Sequence, residues 1–348
     1  MEIDFLLIGR GLAGTAMAYR LKQAGKSIRI IDQPEANNSS RVAAGLFNPV
    51  TGRKMVKTWK ADMLFPEIKP FYRGLERLTD SKFLTEKAIY RPFLTIEEQN
   101  EWMGHSADPS CEAYLERIYG ESQSDFLKDP YGGIMLRSSG WLHINNLLDA
   151  MISYFQEELI LERFDEHLLY RESELWHYKH LKAKSVIYCN GLGAINSRFF
   201  GFLPFSPVKG EILEVRQGFT PDYIVNRGVF RIHLKESVHR VGATYTKHDL
   251  DQGPTNEAKK EILERLTDLV QLPVREIISH KTGVRPATRD RKPFLGKHPI
   301  EEGVYIFNGF GAKGVSLIPY FSEQMLGFLL NKKAIDKEVD IARYFNYI

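Results

Sequence analysis

The first 32 residues constrain this chain more than any other part of it. Residues 3 to 8, Ile-Asp-Phe-Leu-Leu-Ile, read as a short buried strand. Gly9-Arg10-Gly11-Leu12-Ala13-Gly14 follows at once. A helical pattern then runs through Thr15, Ala16, Met17, Tyr19 and Leu21, with Gly25 placed to cap its C-terminus. A second strand, Ser27 to Ile31, ends on Asp32. Gly9 permits a tight turn, Gly11 lets backbone approach a pyrophosphate, and Gly14 lets the helix pack closely on the strand. The free N–H groups and dipole at the helix start favour phosphate charge. Asp32 is spaced to accept hydrogen bonds from an adenosine ribose. A bare GxGxxG is also found in ordinary glycine-rich turns. The complete order of strand, glycines, helix, strand and acid is what points to a dinucleotide. The carboxylate of Asp32 disfavours a 2′-phosphate, so NADP fits least, whereas NAD and FAD both fit.

Composition narrows the class further. A chain of 348 residues, 43% apolar and 26% charged, exceeds one ordinary domain and can bury a large core. Its formal charge of +3 gives no general reason to expect nucleic acid. The local basic cluster Arg53, Lys54, Lys57 and Lys60 reads as a solvated face. Cys111 and Cys189 are the only cysteines and lack metal-type spacing, which suits a reducing compartment and no metal site. The N-terminus has no basic stretch before its short apolar run, and no segment reaches membrane-span length. The expectation is a cytoplasmic protein without a membrane span.

Later segments suggest a chain that alternates between two units. Residues 39 to 52 are small and turn-prone, suited to laying backbone beside a flat ligand or to forming a plain loop. Residues 60 to 130 are mixed, and Trp141 to Gln156 carries a helical pattern. Val186 to Gly191 reads as a buried strand entering a turn, and residues 208 to 246 as a block of strands. The expected fold class is α/β, a Rossmann-like dinucleotide-binding domain (FAD-binding, on the resemblance given below) with a discontinuous α+β substrate domain carrying an antiparallel or mixed sheet. The expected division is 1–70, 141–205 and 281–348 for the first domain, and 71–140 and 206–280 for the second.

A second glycine cluster, Gly309-Phe310-Gly311-Ala312-Lys313-Gly314, follows the strand-like Val304 to Phe307 and precedes a helical pattern. Too little chain remains after Gly314 for a further strand and acid, so this segment must complete a sheet begun elsewhere. Its helix would point a positive N-terminus at a flavin ring, with Lys313 either assisting electrostatically or merely exposed.

Together these pieces resemble the D-amino-acid-oxidase-like FAD oxidoreductases, the family of glycine and sarcosine oxidases and of the oxidase domain of a bifunctional tRNA-wobble-uridine-modifying enzyme. The matching residues are Gly9 to Gly14 with Asp32, Ala43-Ala44-Gly45, Gly140-Trp-Leu142, Val186 to Gly191, and Val208-Lys-Gly210. The most specific stretch is Gly283-Val-Arg285-Pro286 to Gly296, leading into Val304 to Val315. The resemblance implies non-covalent FAD held by Gly9, Gly11, Gly14, Asp32, Ala44, Gly45, Gly191, Gly311 and Gly314. It implies that Arg285 binds a substrate carboxylate, since a guanidinium donates two parallel hydrogen bonds. It places Tyr223 beside that carboxylate, although the usual proline of that strand is Asn226 here. The implied activity is oxidation of the C–N bond of a carboxylate-bearing amine (glycine, sarcosine or a D-amino acid) by hydride transfer to flavin. The electron acceptor is oxygen or another carrier, which leaves a dehydrogenase as an alternative. A tRNA wobble-uridine oxidase is another, although no basic stripe supports a nucleic-acid partner. His143, His233, His239 and His280 are candidates for proton handling.

Overall fold

In the computed structural model, which describes residues 1–33, 38–51, 56–105 and 112–347, the opening motif forms as its sequence requires. Strand β1 (Glu2–Ile8), helix α1 (Leu12–Gln23) and strand β2 (Ile28–Asp32) make one unit, with β1 and β2 paired in parallel. Alternate residues of β1 serve opposite faces. Phe5 and Leu7 enter the cluster that includes α1, whereas Ile3, Leu6 and Ile8 enter a second cluster behind the sheet. A strand apolar on both sides belongs in the middle of a covered parallel sheet.

That sheet has eight strands, and its parallel core is assembled from distant parts of the chain. Leu159–Leu161 lies beside β2, Leu181–Tyr188 beside β1, and Val304–Asn308 beside Leu181–Tyr188. The second glycine cluster therefore follows a strand that completes this sheet, as its incomplete motif implied. Its helix, Gly314–Leu329, packs against α1. Pro319 lies in the second turn of that helix, where the Val315 carbonyl it leaves without a backbone donor accepts from the Tyr72 hydroxyl at 2.9 Å.

A second eight-stranded sheet is mixed, in the order Val274–Arg285, Val208–Gln217, Val238–Gly242, Val229–Lys235, Ile224–Arg227, Ile89–Pro92, Gly133–Leu136 and Leu115–Tyr119. Only Ile224–Arg227 and Ile89–Pro92 pair in parallel. The helix Asn256–Thr267 covers one face, burying Ile262 and Leu266 against Leu213, Val215 and Val241. The expected boundary at residue 281 falls inside the strand Val274–Arg285, whose pairing with Val208–Gln217 continues to Arg285. The strand expected from Val238 to Thr246 runs regularly to Gly242, and beyond an irregular step Thr246 still bridges Lys209 of the neighbouring strand. Among the described residues no helix is long and apolar enough to cross a membrane, and no group of metal-ligand residues gathers.

Of the expected basic cluster, Lys57 pairs with Asp62 at 2.8 Å and Lys60 with Glu338 at 2.9 Å. Arg53, Lys54, Gly52 and Cys111 lie outside the described residues.

Candidate functional site

The carboxyl ends of the parallel strands open into one elongated cavity of about 1550 Å³ that continues to the second sheet. Ligands of open α/β sheets bind at such ends. The volume exceeds that of an ordinary small-ligand pocket.

At one end, Gly9 holds φ +91°, a conformation that other residues rarely adopt. A Cβ on Gly14 would fall 1.9 Å from the Gly9 carbonyl oxygen, so α1 sits directly on the turn. The Arg10 N–H donates to Asp32 Oδ1 at 2.8 Å, which fixes the carboxylate at the cavity wall. Two residues not singled out from the sequence complete this end. Ser40 Oγ accepts from the Leu12 N–H at 3.1 Å. The Arg10 side chain is only 3% exposed, and burial pushes its guanidinium below the usual arginine range, with Asp32 opposing that shift. It donates to the Leu148 carbonyl at 2.7 Å and so ties this turn to the helix Ile144–Tyr154. Neither signal was available locally, because both partners are remote in sequence.

Ala44, Gly45, Gly191, Gly311 and Gly314 also line the cavity, together with Gly9, Gly11 and Asp32. Asn308 Nδ2 donates to the Gly191 carbonyl at 2.9 Å and locks two strand ends together. Gly14 alone of the expected cofactor residues stands behind the wall, in the helix–strand contact. Cys189 lies beside Gly14, and burial pushes its thiol up, so it is an inert packing group.

Lys313 immediately precedes the helix Gly314–Leu329. Its Nζ lies 3.5 Å from Thr51 Oγ1 and 3.4 Å from Thr58 Oγ1. The side chain reaches solvent through the cavity, yet enclosing protein atoms lower its pKa by desolvation, and Arg291 adds repulsion.

Arg285 projects from the end of the strand Val274–Arg285 into the same cavity. Its guanidinium lies so close over Gly210 that a Cβ there would be 2.0 Å from Nη2. The Tyr245 ring stands 4.5 Å from Cζ. Among the described residues its one side-chain hydrogen bond, to the Thr244 carbonyl, is long at 3.5 Å, and no carboxylate pairs with it. Burial lowers its pKa, with only Tyr245 opposing.

Tyr223 is a correction. It packs edge-on against Tyr90 at 5.5 Å, on the face covered by the helix Asn256–Thr267, and does not line the cavity. Side chains alternate along a strand, so Val225 shares its face while Asn226 faces the cavity. Tyr245, just beyond the sheet, is the tyrosine that reaches Arg285. None of His143, His233, His239 and His280 lines the cavity.

Comparison with known proteins settles the family. Residues 4–325 match the family model described as DAO, FAD dependent oxidoreductase. The chain belongs to this family. The DAO-type fold extends over the whole molecule: a crystal structure of glycine oxidase from Geobacillus kaustophilus superposes with a TM-score of 0.81 at 21% identity, covering 99% of this chain and 98% of that one. Iminodiacetate oxidase from Chelativorans sp. BNC1 superposes with a TM-score of 0.77 at 19% identity, covering 97% and 98%. By sequence, the chain is 24% identical to the tRNA 5-methylaminomethyl-2-thiouridine biosynthesis bifunctional protein MnmC of Legionella pneumophila (strain Corby), over 95% of this chain. It spans 55% of that relative's own length. The protein is thus an FAD-dependent oxidoreductase, and the glycine turn, Asp32 and the long cavity fit FAD.

Proposed function

We propose that this enzyme oxidises the C–N bond of a carboxylate-bearing amine of the glycine, sarcosine or D-amino-acid kind, with Arg285 holding the carboxylate. The observation that carries this reading is a half-buried guanidinium on the cavity wall without an acidic partner among the described residues. Burying a charge is costly unless it is paired. A planar guanidinium resting on Gly210 and Tyr245 leaves its edge free to donate two parallel hydrogen bonds.

FAD, when bound, accepts the hydrogen and two electrons of the substrate Cα–H. The protein supplies orientation and local charge. Arg285 fixes one end of the substrate, which limits how the amine-bearing carbon can lie. Lys313 and the helix it precedes add positive charge to the cavity wall. Among the described residues no histidine borders the cavity, and with the amine bound neutral no side-chain base is needed.

The test is anaerobic bleaching of the flavin-loaded protein against glycine, sarcosine, D-amino acids and proline. Arg285→Ala should lower kcat/KM about 100-fold with the flavin spectrum retained, the scale of a lost charge-assisted pair. Unchanged turnover would remove Arg285 from this role. Peroxide formation in air distinguishes an oxidase from a dehydrogenase using another acceptor.

A second reading is oxidation of a carboxymethylaminomethyl uridine in tRNA. Similarity to MnmC over 95% of the chain favours it, and Arg285 would hold the same kind of carboxylate. The formal charge of +3 gives it no support. Nucleoside analysis of tRNA from cells lacking this protein tests it: an unchanged wobble-uridine profile rejects it.

A further inference from the structure

Residues 243–255 follow the regular strand Val238–Gly242 and end at Thr255, the N-cap of the helix Asn256–Thr267. This strap is tied down on both sides of Gly210. Lys209 and Thr246 exchange backbone hydrogen bonds of 2.8 and 3.0 Å, and Lys209 Nζ donates to the Gly253 carbonyl at 2.9 Å. The Glu211 N–H donates to Thr244 Oγ1 at 3.0 Å. The Glu211 carboxylate accepts from the Thr255 N–H at 2.8 Å and from its hydroxyl at 3.1 Å. Lys209 and Glu211 are each 2% exposed and pair at 3.1 Å, and His280 lies 2.8 Å from the same carboxylate. By strand alternation these anchors work from the face opposite Gly210.

The anchored strap presents Tyr245 and Lys247 to the cavity. They flank the bridged Thr246 and so fall on one side of the extended segment, about 7 Å apart along it. Tyr245 remains 69% exposed although its ring stands over Arg285. Lys247 is exposed and has no carboxylate partner among the described residues. The strap's acids, Asp249 and Asp251, do not line the cavity. An exposed lysine on a loose loop contributes little to binding. One on a segment pinned by a buried ion pair loses less freedom when it binds.

We infer that Tyr245 and Lys247 form a second recognition site, and that the substrate is a dianionic amine. One carboxylate meets Arg285, the connecting group lies against Tyr245, and a second anion, carboxylate or phosphate-like, meets Lys247. This rests on the reading of Arg285 given above.

The test compares kcat/KM of the flavin-loaded enzyme for matched pairs: iminodiacetate with sarcosine, and N-(4-carboxybenzyl)glycine with N-benzylglycine. N-(phosphonomethyl)glycine measured against iminodiacetate tells a phosphate-like second anion from a carboxylate. At least one dianion should exceed its monoanionic counterpart about tenfold or more. Lys247→Gln should bring that ratio close to one, and Tyr245→Ala should lower the benzyl pair relative to sarcosine. Ratios near one in the wild type, or ratios unmoved by Lys247→Gln, overturn the inference while sarcosine turnover leaves Arg285 in place. Arg285→Lys, which keeps the charge but loses the bidentate edge, should slow every member. If it slows none, the underlying reading fails instead. If no compound reduces the flavin, both fail.

Discussion

Arg285 is placed by what lies beneath it as much as by its own strand. Gly210 leaves room for the guanidinium to lie flat, and a methyl group there would collide with Nη2 at 2.0 Å. Gly210→Ala should therefore raise KM for carboxylate-bearing amines about tenfold or more while flavin binding is retained, because the displaced fork no longer presents two aligned donors. Steady-state kinetics with a flavin difference spectrum check this, and an unchanged KM would show that Arg285 is not the group being positioned. The reach of sequence at this scale follows from what each residue does. Gly9, Gly11 and Asp32 were legible because their task is local and backbone geometry dictates residue type. Arg285 was legible only through resemblance. Tyr245 was not legible, because a tyrosine in a strand-like run says nothing of which partner its ring meets. Tyr223 was carried over by resemblance alone, and just before the strand Ile224–Arg227 it packs against Tyr90 on the face away from the cavity.

At the scale of elements, the contact between α1 and the turn before it is the tightest point of the cofactor site. A Cβ at Gly14 would lie 1.9 Å from a backbone oxygen, which cannot move aside as a flexible side chain would. Gly14→Ala should lift the start of α1 away from Gly9, and FAD should be lost on gel filtration while far-UV circular dichroism is nearly unchanged. Retention of stoichiometric flavin would refute that account. The segment leading into the helix Gly314–Leu329 was correctly read as completing a sheet begun elsewhere, since Val304–Asn308 pairs with Leu181–Tyr188. The strap was missed for a converse reason. Its conformation is set by Lys209 and Glu211, 33 to 44 positions earlier, and its own residues carry no strong turn signal until Gly253.

Across the whole molecule, the two sheets share one cavity, so stability and cofactor binding are coupled. Saturating FAD at about 100 times its Kd should raise the unfolding free energy by about 2.7 kcal/mol, read as a rise in Tm. Acidity should act in the other direction. His239 is fully buried, and desolvation, followed by Arg231 and His233, lowers its pKa from 6.5 to about 3. The unfolded chain therefore binds a proton below pH 6.5 that the folded chain refuses. Stability present above pH 6.5 should fall toward pH 3 by about 1.4 kcal/mol per unit from this residue. Glu338 and Asp4, each held near 2 by lysine partners, add losses only below the ordinary carboxylate range, and these are small because both groups are largely solvated. Urea unfolding between about pH 4.5 and 6.5 reads His239 together with His143 and His298, which burial also holds low, and His239→Gln should reduce the slope by its share. An unaltered slope would assign it elsewhere. The interleaving of the sheets was legible as a β-rich block flanked by nucleotide-domain pieces, but the crossing points were not, because strand pairing over such distances leaves no mark in local composition. That interleaving also has a consequence for biosynthesis. The cavity wall from Asn308 to Ile318 is translated late, and the strand leading into it pairs with one made long before. Ribosome-bound chains stalled before Val304 should emerge without flavin, so capture of the cofactor waits for the strand Val304–Asn308 and does not accompany folding of the first strands.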